Sequence, residues 1–492
     1  MLPFDNKNEF QIVLDMPEGS TLERTQAVTL EIAEYVKSRD EVLNYQTYVG
    51  TASPITFNGL VRHYDLRNSV HLADIQVNIT NKNERDAQSH DIAKSFRKDV
   101  KAIADRYGAA IKIVEVPPGP PVLSTVVAEV YGPDYEEQIK IAKNIKDILH
   151  ETQDVVDIDW RVEADQTEIE FIVDTERANL EGVSTQQLVE TMRLSLGNAS
   201  ISTAYRENEN EQINITYYTP NPRKSSTDEL LKLKVKSQQG QMIDIGNLIN
   251  LKEQPIEKSI YRKNKRRVVY VTAEMAGELE SPVYAILGME EHLKDMHLPE
   301  GYSIEELYTE IPVDTEDYSV KWDGEWQITL DVFKDLGVAF LVVIFIIYML
   351  IVGWFQSFRS PIVMMIAIPL SLIGIVLAHW IFDAFFTATS FIGMIALAGI
   401  MVRNSVLLID FIEIRLDEGI AFKQAIVEAG AVRTTPILLT AGTVVIGAVA
   451  ILFDPIFQGL ALSLMGGTIV STFLTLILVP LVFYMVMKKK YK

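Results

Sequence analysis

LAGIMVRNSVLLIDF, Leu397 to Phe411, is the stretch on which the fold turns. It lies within a long apolar run, yet Arg403 and Asn404 stand in its middle and Asp410 near its end. A guanidinium inside a membrane helix is expensive and by default marks function. Whether this run crosses a membrane is therefore the first question.

Working outward, five apolar segments follow residue 335, at roughly 336–354, 361–380, 386–411, 434–453 and 460–487. Each supplies the ~20 apolar residues that a helix needs to span a bilayer core. As buried helices of a soluble domain they would need far more polar covering than this third of the chain offers. Arg359 lies in the loop at 355–360, Arg415, Lys423 and Arg433 in 412–433, and four lysines in the tail at 488–492. The alternate loops IFDAF and DPIFQG hold no Lys or Arg. By the positive-inside rule the first set is cytoplasmic, so residues 1–335 are expected outside and the C-terminus inside.

Charge divides the chain in the same place. From Asp331 onward there are ten Lys+Arg and nine Asp+Glu; with −21 overall, the preceding part carries −22. An acidic surface of that size argues against nucleic acid as a partner. The opening MLPFDNKNEF has neither the basic nor the apolar region of a signal peptide. An exported acidic domain needs such a signal, so a preceding membrane helix, or the status of one part of a larger protein, is expected. Of the 492 residues none is cysteine, which excludes thiolate chemistry and disulfides. The seven histidines show no metal-ligand spacing, and no nucleotide-binding loop occurs. No cofactor is expected, and no enzymatic bond-breaking.

The outer region reads as α+β. A strand at 10–14, a helix opened by a Ser20/Glu23 capping pair, a strand at 71–80, a helix from Glu84 and the strand AAIKIVEV suggest a split β-α-β, ferredoxin-like unit. After the linker-like PPGPP (117–121) the pattern recurs, breaks off near residue 175 and resumes with RRVVYVTAEM. Residues 175–262, rich in Asn and Gln, read as an insertion into a duplicated unit.

Within the membrane part, Arg403 lies about eight residues, or ~12 Å, from the cytoplasmic end of its helix. That depth is beyond easy snorkelling, and Arg keeps its proton at any accessible pH. It reads as a fixed counterion whose partner carboxylate titrates. Asp410 shares its face but lies two turns away near the boundary, where a solvated carboxylate is the simpler reading. No deep Asp or Glu occurs in these segments, so the partner is expected on another chain or another part of the protein. Arg433 and Thr440, seven apart, read on their own as an interfacial anchor and a back-bonded hydroxyl.

FQSFRSPIVMMIAIPLSLIGIVL, LAGIMVRNSVLLIDF and EGIAFKQAIVEAGAVRTTPILLTAGT together resemble the second half of a resistance-nodulation-division (RND) efflux subunit of the hydrophobe/amphiphile type. LPFDNKNEFQIVLDMPEGSTLERT resembles the start of that family's second periplasmic loop. The resemblance implies two ferredoxin-like porter subdomains (1–118; 119–174 with 263–325), a docking domain (175–262) inserted in the second, and a bundle of five transmembrane helices (331–492). It implies that Arg403 stands where the family usually has Lys, facing an aspartate pair in the first half, which these residues do not include. Asn404, Arg433 and Thr440 fall on neighbouring relay positions, and Asp410 is a possible secondary member. It further implies proton-driven export of amphiphiles by a homotrimer in the bacterial inner membrane, with a periplasmic adaptor and an outer-membrane channel. Phe57 is a candidate pocket or gating residue. Met16 could occupy one of three methionine positions of the metal-exporting branch; the regions expected to hold the others contain no Met, and a soft-metal site needs several sulfur ligands. Heavy-metal export, an RND-like protein-export or scaffolding role, and an inert fragment are the alternatives.

Overall fold

The computed structural model describes residues 5–489 apart from 117–121, Asn198, Asn208, 221–225, 278–279, Asp295, His297 and 299–301. The PPGPP linker lies outside the described residues.

The chain begins with β1 (Glu9–Asp15), α1 (Leu22–Lys37), β2 (Val42–Val49), α2 (Phe57–Arg62), β3 (Leu72–Ile79), α3 (Ser89–Asp105) and β4 (Ala110–Glu115). The strands form one antiparallel sheet in the order β2-β3-β1-β4. Alternation along β1 sends Phe10, Ile12 and Leu14 into a core with Val28, Ile32, Phe96 and Val100 from α1 and α3. The cap of α1 is Thr21, whose hydroxyl accepts from the Arg24 amide, one residue beyond the expected Ser20.

β5 (Val126–Tyr131), α4 (Tyr135–Glu151) and β6 (Val155–Trp160) follow, before the chain leaves for a separate unit, Glu163–Lys258. That unit holds β7 (Thr167–Val173), α5 (Thr175–Leu180), α6 (Thr185–Leu196), β8 (Ala199–Ala204), β9 (Ile213–Tyr217), α7 (Thr227–Leu231), β10 (Lys234–Lys236), β11 (Met242–Asp244) and β12 (Ile249–Pro255). β7, read from its sequence as part of the second subdomain, pairs with β12 inside the inserted unit. The β8–β9 hairpin pairs with no further strand among the described residues.

The chain returns through a short hairpin, β13 (Arg262–Lys263) and β14 (Arg266–Arg267), to β15 (Val269–Met275), α8 (Pro282–Lys294), β16 (Ile304–Leu307) and β17 (Tyr318–Gly324). The second sheet runs β16-β17-β5-β15-β6. Its last four strands repeat the connectivity of the first sheet, with the inserted unit lying between β6 and β15.

β17 leads directly into α9 (Glu325–Phe355), followed by α10 (Ser360–Met365), α11 (Ala367–Ile381), α12 (Ala388–Asp417), α13 (Phe422–Val449) and α14 (Gln458–Met487). With α10 and α11 taken as one broken span, five helices are long and apolar enough to cross a membrane. α13 starts twelve residues before the expected 434, because the amphipathic segment and the apolar span form one helix through Pro436. α9 likewise starts before its apolar stretch, with a polar first section joined to the sheet. α14 packs on α11 where two glycines meet: a methyl on Gly374 would sit 2.4 Å from the Gly466 carbonyl.

Candidate functional site

α12 opens at a capping box formed by Thr387 and Ser390. One face, including Leu397, Met401, Ser405, Leu408 and Ile412, is buried against its neighbours. Ile392, Ala396, Gly399, Arg403 and Leu407 form the opposite, exposed stripe at helical spacing. Arg403 thus projects from a face that the helices of this chain leave uncovered. Ion pairs in this region join Arg415 to Glu418 and Glu428; among the described residues none involves Arg403. Asp410 is half-buried, and among the described residues it forms no ion pair.

Asn404 is turned inward and buried, with Oδ1 lacking a hydrogen-bond partner among the described residues. Arg433 lies with its guanidinium 4.8 Å from the centre of the Phe411 ring, which Arg415 approaches at 5.2 Å. A cation over an aromatic face is attracted by the ring quadrupole, so Phe411 holds Arg433 against α12. The Thr440 hydroxyl donates to the Ile437 carbonyl of its own helix at 2.9 Å. The structure brings Arg433 next to the helix of Arg403 and Asn404. It does not join Arg433 or Thr440 to Arg403 by a hydrogen bond among the described residues.

In the outer region Met16 is 2% exposed and packs in the core under the first sheet. Its side chain is thus shielded from solvent, unlike the open ligand position considered for it from sequence. α2 begins at Phe57, with Thr56 capping it by accepting from the Gly59 amide. The Phe57 side chain lies outside the described residues.

Sequence reading missed the joint between the two sheet subdomains. It is held by charge: Arg62 to Glu274 at 2.6 Å, Arg97 to Asp157, Lys112 to Asp159, and Lys94 to Glu280 at 2.5 Å. His90 bridges Glu115 and Glu280, 2.8 Å from each. Burial disfavours the charged His90 imidazole, but the two carboxylates on its nitrogens outweigh that and push it up to about 9. Burial would also raise Glu274; Arg62 and the hydroxyls of Thr125 and Ser124 overcome it and hold the carboxyl below the usual range. No sequence spacing announces these pairs, since each joins residues at least 25 apart.

The architecture is that of a membrane transport protein: a duplicated sheet region continuous with a bundle of apolar helices that carries a charge at mid-helix. The chain belongs to the AcrB/AcrD/AcrF family of RND transporters, whose sequence model matches residues 1–488. It is 27% identical over 371 residues to the swarming motility protein SwrC of Bacillus subtilis, covering 74% of this chain and 33% of the relative. Similarity extends to the cobalt-zinc-cadmium resistance protein CzcA of Cupriavidus metallidurans, at 21% over 380 residues, covering 75% of this chain and 34% of CzcA. The multidrug resistance protein MdtC of Photorhabdus laumondii is 27% identical over 199 residues, or 38% of this chain and 19% of MdtC. A crystal structure of a heavy metal efflux pump shares the fold, with a TM-score of 0.78 at 18% identity over 99% of this chain and 47% of the pump. The chain therefore spans about a third of the curated relatives it matches over most of its length.

Proposed function

We propose that the chain works as the second half of a proton-driven RND pump that exports amphiphilic compounds. The exposed stripe of α12 carries this reading. A permanent cation at mid-helix, on a face no helix of this chain covers, calls for a carboxylate from a membrane segment outside these residues. When that carboxylate takes a proton its pairing with Arg403 weakens; when it releases the proton the pair re-forms. A ligand, here the proton, shifts an equilibrium only through such a difference between states. α9 runs without a break from β17, so a tilt of the bundle is passed to the second sheet subdomain, the geometry of alternating access. Asn404 and Arg433 flank Arg403 in the relay, with Thr440 one turn beyond Pro436 and Asp410 as a secondary member.

The two sheet units are assigned as ferredoxin-like porter subdomains, supported by their shared strand order, and Glu163–Lys258 as the docking domain. The charge of the loops supports placement in a bacterial inner membrane, with residues 1–335 periplasmic. An isolated two-stranded hairpin is marginal in water, so β8–β9, with Tyr205 95% exposed, supports a homotrimer in which it is covered. An adaptor and an outer-membrane channel would complete the export path. Amphiphiles are favoured over metal cations because Met16 is sealed in a core. Arg403→Ala, tested in the complete pump, should reduce amphiphile export to the level of cells without the pump, at unchanged membrane abundance. Retained export would overturn the relay, and lost tolerance to cobalt, zinc or cadmium with unchanged amphiphile export would favour the metal reading.

A further inference from the structure

Hydroxyls inside membrane helices ordinarily bond back to a carbonyl one turn earlier. In this bundle Thr434, Thr440, Thr443, Ser471 and Thr472 all do so. Ser405, Ser463, Thr468 and Thr475 do not. Each is fully buried, and its hydroxyl oxygen has no hydrogen-bond partner among the described residues. Asn404 Oδ1, 2% exposed as a residue, is in the same condition. All five belong to α12 or α14.

Ser463 lies at the contact with α12, while Thr468, five residues on, is ~140° farther round α14 at ~100° per residue. α12 and α14 run parallel, and a methyl on Gly393 would touch Ser463 while one on Gly467 would touch Leu397, a constant offset of seventy residues. Carried along both helices, that offset puts Ser471 level with Met401 and Thr475 level with Ser405, one residue from Asn404. Ser463, Thr468 and Thr475 then span ~18 Å at 1.5 Å per residue, with Ser471 and Thr472 between them. Buried polar groups left without protein partners are where ordered water is held.

At the end of the seam nearest the sheet region stands a buried titratable group that the relay does not use. His379 Nδ1 lies 2.8 Å from the Ile375 carbonyl, which can only accept, so Nδ1 carries hydrogen. Nε2, 2.8 Å from Ser390 Oγ, then accepts from that hydroxyl in the neutral ring. A proton arriving at Nε2 reverses this bond, and the Ser390 hydrogen can turn to Thr387 Oγ1, 3.1 Å away. The cluster has a satisfied arrangement in both states. α14 begins against it, since a methyl on Gly459 would lie 2.3 Å from Ser390 Oγ, one turn before Ser463. Charged groups on the surrounding elements are Asp383 after α11, Asp454 before α14, Asp331, Lys334 and Asp335 on α9, and Arg403 farther along α12.

We infer that the α12–α14 seam holds a file of water that carries protons between His379, at the sheet-region end of the bundle, and Asn404, at the depth of Arg403. His379 takes the proton, Ser390 and Thr387 reorient around it, and the unpartnered oxygens of Ser463, Thr468, Thr475 and Ser405 hold the water over which it moves. The inference rests on the proton-driven reading for its purpose but on these buried oxygens for its existence.

The chain lacks cysteine, so single Ser463→Cys, Thr468→Cys and Thr475→Cys substitutions can be probed with silver ion in chain reconstituted into lipid nanodiscs. A thiol reacts as thiolate and needs water to ionise. Thr468→Cys and Thr475→Cys should react at least a hundredfold faster than lipid-facing Ile477→Cys; rates equal to that control overturn the file. Reaction at Ser463→Cys alone would mean a shallow vestibule and also overturn it. His379→Phe should slow the Thr468→Cys reaction at least tenfold, and an unchanged rate overturns His379 as the mouth. Radiolytic hydroxyl-radical labelling needs no substitution: Met401, 1% exposed, should oxidise at least tenfold faster than Met364, 0% exposed. Equal rates overturn the file. A dry seam in a pump that still couples export to protons would overturn the file alone. A wet seam in a pump that exports without a proton gradient would overturn only the proton-driven reading.

Discussion

Raising the pH should loosen the joint between the two sheet subdomains through His90. Its imidazole is raised from an ordinary 6.5 to about 9 because Glu115 and Glu280 hold the charged form against the cost of burial. A raised folded value means the stabilisation is complete below 6.5 and disappears as pH climbs through 9. Linkage gives roughly 2.5 kcal/mol at pH 7 and near zero at pH 10. His90 and Glu280 are largely buried, with 14% and 13% of their side chains exposed, so solvent screens the pair little. Glu280, burial notwithstanding, is held down to about 2 by His90 and Lys94; that is the same interaction seen from the other partner and is counted once. The assay is urea unfolding of the sheet region, followed through Trp160, Trp322 and Trp326, for the natural chain and His90→Gln. Lysines and tyrosines titrate in both proteins, so the difference between them isolates His90. It should be about 2–3 kcal/mol at pH 7 and shrink below about 0.5 kcal/mol at pH 10. A difference that stays constant with pH would refute the reasoning.

Gly374→Ala drives a methyl to 2.4 Å from the Gly466 carbonyl; overpacking of about 1–3 kcal/mol should lower the melting temperature in detergent, and no change would mean α11 and α14 do not meet there. Glu274→Gln leaves the Arg62 guanidinium buried without its partner, a loss of about 3–5 kcal/mol in urea unfolding of the sheet region. Adding Arg62→Met should recover most of it, and failure to do so would refute the pairing. Met16→Leu conserves volume in a core and should cost less than about 1.5 kcal/mol with unchanged export and metal tolerance; a loss of metal tolerance would restore Met16 as a ligand. Gly399→Leu on the uncovered stripe should leave the fold of this chain intact yet prevent recovery of an assembled pump, as read by copurification of its subunits.

What could be read from sequence follows the range of the forces involved. The membrane helices were legible because ~20 apolar residues in a row have few other solutions. The start of α13 was not, since Lys423, Gln424 and Glu428 lower hydropathy without disturbing a helix. The fate of Met16 was in fact legible: Phe10, Ile12, Leu14 and Met16 share one side of a period-two pattern, and the first three are plainly core. β17 was missed although Tyr318, Val320 and Trp322 alternate into the second core, because the polar residues between them, Lys321 buried beside Asp323, mask that pattern. β7 reads correctly as a strand, but pairing is a long-range property and its partner lies more than 75 residues on. Arg403 was legible as a charge within an apolar span from sequence position alone; which side of α12 it faces depends on how α11, α13 and α14 pack.

That side matters for the energetics. On insertion scales an arginine at mid-helix costs about 2.5–3.5 kcal/mol, and lipid cannot return it. Leu407 and Ile392 would sit equally well in lipid, so it is Arg403 that demands a protein neighbour on this stripe. Gly399, one turn away and with nothing within 4 Å of an added methyl, leaves room for a second helix to approach closely, as small residues do in membrane packing. Close approach would bring the proposed partner carboxylate into a region of low dielectric, where a unit charge matters far more than at the surface. On the proposed relay, adding or removing one proton there is what would shift the helix–helix interaction. The opposite face of α12 carries the unbonded Asn404 and Ser405, so the same turn of helix meets a charge on one side and a polar seam on the other. On the proposed relay, α12 would sit between two protein surfaces and its position would follow the protonation of the carboxylate set against Arg403.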